Sequence, residues 1–94
     1  MSEPRALVVA ALGGNALAPP DKPYDAADMA AAIASAADAL APIAETCDLI
    51  VTHGNGPQIG YLSENAPRTP LDVLGAESEG WLGYVIEQGL TNLL

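Results

Sequence analysis

The chain has 94 residues, a length that suits one small domain, and half of them are hydrophobic, so the chain can bury a core. Three basic residues stand against twelve acidic ones, and the net charge of −9 argues against partners such as nucleic acid or an anionic membrane, which a basic patch would bind. The single cysteine, Cys47, excludes an internal disulfide and a cysteine-rich zinc site.

The first strand is predicted at residues 6–12, a continuous apolar run typical of a strand buried on both faces in a parallel sheet. Gly13 and Gly14 end it. The run is too short to span a bilayer, and no signal-peptide pattern accompanies it. We therefore expect a cytoplasmic protein.

A helix is predicted to begin at Ala26, with Asp25 as its capping residue. Its many alanines are strong helix formers. Pro42 is expected to end or kink this helix near its last turn, because proline lacks the N–H that a helix interior needs.

The second half of the chain follows the same order of strand, turn and helix. Residues 47–53 predict a strand, residues 54–56 a turn, and residues 57–65 a helix with Pro57 in its first turn. Asp72 is expected to cap a last helix. The apolar positions of that helix form a wide stripe: Leu74, Leu82, Val85, Ile86, Leu90, Leu93 and Leu94.

The order strand, helix, strand, helix, helix predicts an α/β protein with a parallel sheet and a right-handed crossover. Two strands with helices on one side leave an open edge and an incomplete core. We therefore expect residues 1–94 to be the front part of a single larger domain.

Two glycine loops follow the two predicted strands, at the edge of a parallel sheet where ligands bind. Glycine lets a ligand approach the backbone N–H groups, and the helix after the second loop adds a partial positive charge, so the loops favour an anion such as phosphate. The alternative is a pair of ordinary strand-to-helix turns. The spacing fits neither the dinucleotide fingerprint nor the nucleotide P-loop, and no Gly-x-Ser-x-Gly supports a serine hydrolase. His53, the only histidine, is expected to be a structural group, and no metal site is predicted.

The segments "VVAALGGNAL", "IVTHGNGPQIG" and "PLDVLGAESEGWLGYVIEQ" resemble carbamate kinase, of the amino acid kinase family. The resemblance covers nearly the whole chain. Most other members of that wider family carry Lys at the place of Ala11 and Gly at the place of Asn55, so both departures follow the carbamate kinase pattern. Some members have Met-Thr-Gln at residues 77–79; we expect Glu77 and Glu79 here to be surface or capping groups.

The resemblance implies the βαβαα N-terminal portion of a three-layer parallel-sheet amino acid kinase fold, left incomplete by this chain. It implies a kinase that moves a phosphoryl group reversibly between ATP and carbamate, giving ADP and carbamoyl phosphate, in arginine fermentation. Its implied cofactors are ATP or ADP with Mg²⁺, and its implied assembly is a homodimer. By position, the substrate-binding residues are Gly13, Gly14, Asn15, Gly54, Asn55 and Gly56.

The resemblance assigns no catalytic residue to this chain, because the lysines that neutralise the phosphates in that family lie further along. Lys22 does not match those motifs. We expect these 94 residues to be inactive alone. Two alternatives remain open: another amino acid kinase with a different acceptor, and a non-catalytic module that binds phosphate or a partner chain.

Overall fold

The computed structural model describes residues 4–13, 16–17 and 25–94. In chain order the elements of these residues are β1 (Leu7–Leu12), α1 (Ala26–Thr46), β2 (Asp48–His53), α2 (Gly56–Asn65) and α3 (Leu71–Leu93). Their order confirms the predicted α/β class. The second strand begins one residue later than predicted, because Cys47 ends α1 as its C-cap and its N–H donates to the C=O of Ile43 at 2.8 Å.

The two strands pair in parallel, with Leu7 opposite Asp48 and Leu12 opposite His53. The helix α1 connects them. Because six residues pair with six without a stagger, both strands end at the same level. This register brings the two segments that follow the strands to one edge of the sheet.

The sheet is covered on one face only by the residues that the structure describes. Along both strands, half-buried side chains alternate with exposed ones. The exposed set includes Leu7, Val9 and Ile50, at 63%, 60% and 48% exposure. The prediction that β1 is buried on both faces is therefore wrong for this part of the chain, since all three described helices leave that face open.

The helix α1 begins where the sequence predicts. The carboxylate of Asp25 accepts hydrogen bonds from the N–H groups of Ala27 and Asp28, at 2.8 and 3.1 Å. These bonds satisfy two of the donors that every helix start leaves without an intrahelical acceptor. The buried face of the helix consists of Met29, Ile33, Ala37, Leu40 and Ala41.

The length and apolar composition of α1 are sufficient to cross a membrane. The core helix of a soluble protein meets the same criterion, so this finding is weak evidence for a span. Here the buried face of α1 packs against α3, with Met29 and Ile33 in the same cluster as Leu82 and Ile86.

The prediction that Pro42 ends or kinks α1 near its last turn is wrong about the end: the helix continues through Pro42 to Thr46. Proline at this position removes only the bond to the C=O of Asp38. Both residues are exposed, so water can reach that carbonyl group. The last turn gains other bonds, since the guanidinium of Arg5 donates to the C=O groups of Ala44 and Cys47 at 2.8 and 2.7 Å.

Replacing this proline should stabilise the protein. We expect Pro42→Ala to raise the free energy of unfolding by about 1–3 kcal/mol, because alanine restores the missing helical bond and removes the steric conflict of the ring. Urea unfolding measures the change. Pro67→Ala, in the exposed loop after α2, is the matched control and should give no gain. A Pro42→Ala protein no more stable than the parent would contradict this account.

The helix α3 begins at Leu71, one residue before Asp72, so the predicted cap is wrong. Pro70 is the N-cap residue; its φ of −59° suits the position and its C=O accepts the N–H of Leu74 at 3.1 Å. Asp72 lies inside the first turn instead, where a carboxylate is favoured by the positive end of the helix dipole.

The core lies between α1 and α3 and includes Leu17. Buried there are Leu17, Met29, Ile33, Leu82 and Ile86, with Leu12 and Val51 packing on them from the covered face of the sheet. The two helices are in contact at Gly89, where a Cβ would lie 3.4 Å from Ile33 Cγ2. The predicted stripe on α3 is confirmed at Leu74, Leu82 and Ile86, whereas Leu93 and Leu94 are exposed.

Candidate functional site

The two glycine loops lie at the same edge of the sheet, as the sequence predicts. Leu12 and His53 are the last paired residues, and Gly13 and Gly54 follow them directly. The N–H of Gly54 donates to the C=O of Leu12 at 2.8 Å, which joins the start of the second loop to the end of β1. This N–H is therefore used within the protein and does not face a ligand.

The first loop is described in part. Gly13 is exposed and its C=O accepts the N–H of Ala16 at 3.0 Å. Gly14 and Asn15, both predicted to bind substrate, lie outside the described residues, as does Lys22.

The second loop runs directly into α2. Asn55 is the N-cap residue, Gly56 is the first residue of the helix, and Pro57 lies in its first turn as predicted. The first helical bond runs from the N–H of Ile59 to the C=O of Asn55 at 2.8 Å. The N–H groups of Gly56 and Gln58 thus have no acceptor within α2, and they add to the partial positive charge at this end.

Packing within the described chain does not require glycine at position 13 or 56. A Cβ built at Gly13 or Gly56 meets no atom from elsewhere in the described chain within 4 Å, and neither residue has a positive φ. The described residues therefore leave the space above these two backbone positions open to a group that approaches closely. A phosphoryl or carboxylate oxygen fits such a space, because it is small and accepts hydrogen bonds from backbone N–H groups.

The side chain of Asn55 does not cap α2. Its Nδ2 donates instead to Oγ of Ser78 at 2.8 Å, and Ser78 Oγ donates to the C=O of Gly75 at 2.9 Å. This chain of two hydrogen bonds connects the second glycine loop to the middle of α3. Glu77 and Glu79, on either side of Ser78, are both exposed, which confirms that they are surface groups.

Two more polar side chains lie near the start of α2. Gln58 is fully buried; its Nε2 lies 3.9 Å from Sδ of Met29, and its Oε1 has no hydrogen-bond partner among the described residues. His53 is half-buried, with Nδ1 3.1 Å from the C=O of Gly54. Since a carbonyl oxygen only accepts, this bond requires the proton on Nδ1.

The described basic side chains lie far from the glycine loops. Arg5 precedes β1 and therefore sits at the opposite edge of the sheet, about 20 Å away over six strand residues. It forms an exposed ion pair with Asp48, with Nε of Arg5 3.2 Å from Oδ1 of Asp48. Arg68 follows α2, whose ten residues extend about 15 Å from the loop. The described residues also contain no group of three His, Cys, Asp or Glu side chains that could hold a metal ion.

Sequence reasoning missed the burial of Ser78 and Gln58, the two fully buried polar residues of the described chain. Ser78 had a detectable signal. It stands four residues after Leu74 and four before Leu82, so it fills a gap in the buried row of α3. The glutamates on either side of Ser78 make the local composition typical of an exposed segment.

The comparisons with known proteins converge on one kind of enzyme, although no protein-family model matches the chain. A carbamate kinase of Rhizobium meliloti is 50% identical over 93 residues, which cover 93% of this chain and 29% of that protein. One of Haemophilus influenzae is 42% identical, with 93% and 30% covered. The solved structure of Giardia carbamate kinase matches with a TM-score of 0.84 and 31% identity, over 97% of this chain and 33% of that one. The chain therefore spans about a third of the length of these relatives.

Proposed function

We propose that the chain, which is similar to a segment of carbamate kinases in sequence and in fold, forms the N-terminal part of an enzyme that transfers a phosphoryl group between ATP and carbamate. In one direction a carbamate oxygen attacks the γ-phosphorus of ATP while the bond from that phosphorus to the ADP oxygen breaks. In the other direction carbamoyl phosphate and ADP give ATP. Arginine breakdown in the cytoplasm is the metabolic setting that we propose.

The position of the two glycine loops carries this proposal. Both follow parallel strands that end at one level, and Gly13 and Gly56 leave open space above the backbone. We assign Gly13, Gly14 and Asn15 to the transferring phosphoryl group. Gly54, Asn55 and Gly56 would hold the carbamate and the same phosphoryl group, Gly54 only by having no side chain in the way, since its N–H is bound to Leu12. Transfer of this kind depends mainly on positioning and on neutralisation of charge, which backbone N–H groups and amides provide in part.

The remaining functions belong to the rest of the proposed enzyme. The nucleotide base, the Mg²⁺ and the phosphate-neutralising lysines would be bound largely by residues beyond this chain, since the described part offers no basic side chain near the loops. We also propose a homodimer without nucleic-acid or membrane partners. Gly80 and Gly83 leave open space on α3 where we propose that another subunit packs, because no described atom beyond the local backbone of α3 lies within 4 Å of a Cβ at either position.

The test is ATP formation by the full-length protein supplied with carbamoyl phosphate and Mg-ADP. We expect steady turnover with carbamoyl phosphate and at least about a hundredfold less with acetyl phosphate, because a site built for one polar substrate rejects an analogue that leaves its groups unpaired. Equal turnover with acetyl phosphate would favour another amino acid kinase. No turnover with either compound would contradict the proposal.

A second candidate is a non-catalytic module that binds phosphate or a partner chain. The scarcity of basic residues favours it, because only three are present and the described two lie away from the loops. The intact mass of the protein in its source cells separates the two candidates. A mass well above 9.6 kDa supports the kinase, and a mass of 9.6 kDa supports the module.

A further inference from the structure

The hydrogen bonds of Ser78 show that its hydroxyl group does not depend on Asn55. Ser78 is fully buried within α3, yet its own proton is already donated to the C=O of Gly75, three residues earlier. A buried hydroxyl that is satisfied by its own helix needs no further partner. The hydrogen bond from Asn55 is therefore not needed to satisfy Ser78, and its effect is to hold the Asn55 amide.

The same proton fixes the orientation of the Asn55 amide. Because the only hydrogen of Ser78 Oγ goes to Gly75, the oxygen can act only as an acceptor toward Asn55. The group that faces it must be the NH₂ and not the C=O. A flipped amide would bring two oxygen atoms together without a proton between them.

The Asn55 side chain bonds to Ser78 and makes no capping hydrogen bond to α2. As the N-cap residue of α2 it could accept a hydrogen bond from the N–H groups of the first turn, which is the usual role of asparagine there. Its side chain makes no such bond. The side chain is instead held across to α3, beside the second glycine loop.

We propose that Ser78 is a positioning residue that holds the Asn55 amide in one orientation, so that its second N–H stays available to an oxygen of the substrate. This inference rests on the proposed kinase function for its catalytic consequence, but not for its geometry. A donor held in place before the reaction needs no reorganisation as charge develops on the transferring group. Ser78 acts only through Asn55 and touches no substrate.

Three variants of the full-length enzyme test the role of the hydroxyl. Ser78→Ala removes it, Ser78→Thr keeps it and adds a methyl group to a fully buried position, and Ser35→Ala is the control at an exposed serine of α1. We expect Ser78→Ala to lower kcat about tenfold with little change in KM, since a misplaced group loses its effect in the transition state. Ser78→Thr should lose melting temperature but retain kcat, and Ser35→Ala should change neither.

A double-mutant cycle shows whether Ser78 works through Asn55. We expect Asn55→Ala to lower kcat about a hundredfold, as removal of one oxyanion donor does. Ser78→Ala should then add nothing in the Asn55→Ala background. A further tenfold loss in that background, or a Ser78→Ala enzyme within twofold of the parent, would overturn the proposal.

A spectroscopic measurement separates failure of this inference from failure of the kinase function. In protein labelled with ¹⁵N-asparagine, the Nδ2 signal of Asn55 is identified by its loss in Asn55→Ala. Its hydrogen exchange should be about tenfold faster in Ser78→Ala than in the parent or in Ser78→Thr. Equal exchange in all three would refute the positioning role, whether or not the enzyme makes ATP.

Discussion

We expect the 94-residue chain on its own to form no ATP from carbamoyl phosphate and Mg-ADP, in contrast to the proposed full-length kinase. Phosphoryl transfer requires cationic groups beside the transferring oxygens, and a single arginine supplied to such a site is worth about 10³–10⁵ in kcat. Among the described basic side chains, Arg5 is bound to the end of α1 and the start of β2, and Arg68 lies beyond the far end of α2. Neither can reach the glycine loops.

The measurement is a luciferase assay of ATP on both proteins at equal concentration. The far-ultraviolet circular dichroism of the shorter chain, recorded in the same buffer, shows whether its helices are formed. The net charge of −9 also repels an anionic substrate, and high salt screens that repulsion. Turnover should still not appear at high salt, because screening supplies no cationic group beside the transferring oxygens. Steady ATP formation by the 94-residue chain would show that the missing lysines are unnecessary.

Leu82→Ala should be the most destabilising single truncation in the core. Leu82 is fully buried where α3 meets α1, in contact with the cluster that contains Leu17, Met29 and Ile33. Removing its side chain loses the transfer free energy of the deleted groups and leaves a cavity, and together these cost about 2–5 kcal/mol. The expected result is a lower midpoint of urea unfolding with an unchanged slope.

Leu71→Ala is the matched control, because it makes the same chemical change on the same helix at a side chain that is 71% exposed. We expect its free energy of unfolding to stay within about 0.5 kcal/mol of the parent. Equal losses for the two variants would show that Leu71 is covered in the full-length protein, and a small loss at Leu82 would contradict the core described above.

The parts of this fold that follow from short-range rules could be predicted from sequence. Asp25 caps α1 because its carboxylate reaches N–H groups two and three residues away. The meeting of the glycine loops required only that the two apolar runs pair in parallel and end together. The proposed roles of the loop residues remain predictions.

The errors and omissions came from interactions between distant parts of the chain. The prediction that Pro42 ends or kinks α1 is wrong about the end, and Arg5, almost forty residues earlier, donates to the carbonyl groups of Ala44 and Cys47 there. No prediction is made for Ser78 from the sequence, because its burial depends on the packing of α3 against the rest of the protein. Neither the Arg5 hydrogen bonds nor the burial of Ser78 can be deduced from local composition.

The open face of the sheet affects how the proposed full-length protein must be synthesised. Leu7, Val9 and Ile50 leave the ribosome early, and about two thirds of the length of the relatives is still to be translated at that stage. At the usual rate of translation, the nascent chain exposes an aggregation-prone apolar surface for on the order of ten seconds to a minute. Chaperone binding during translation would be concentrated on this surface, and premature termination near residue 94 would leave a product prone to aggregation.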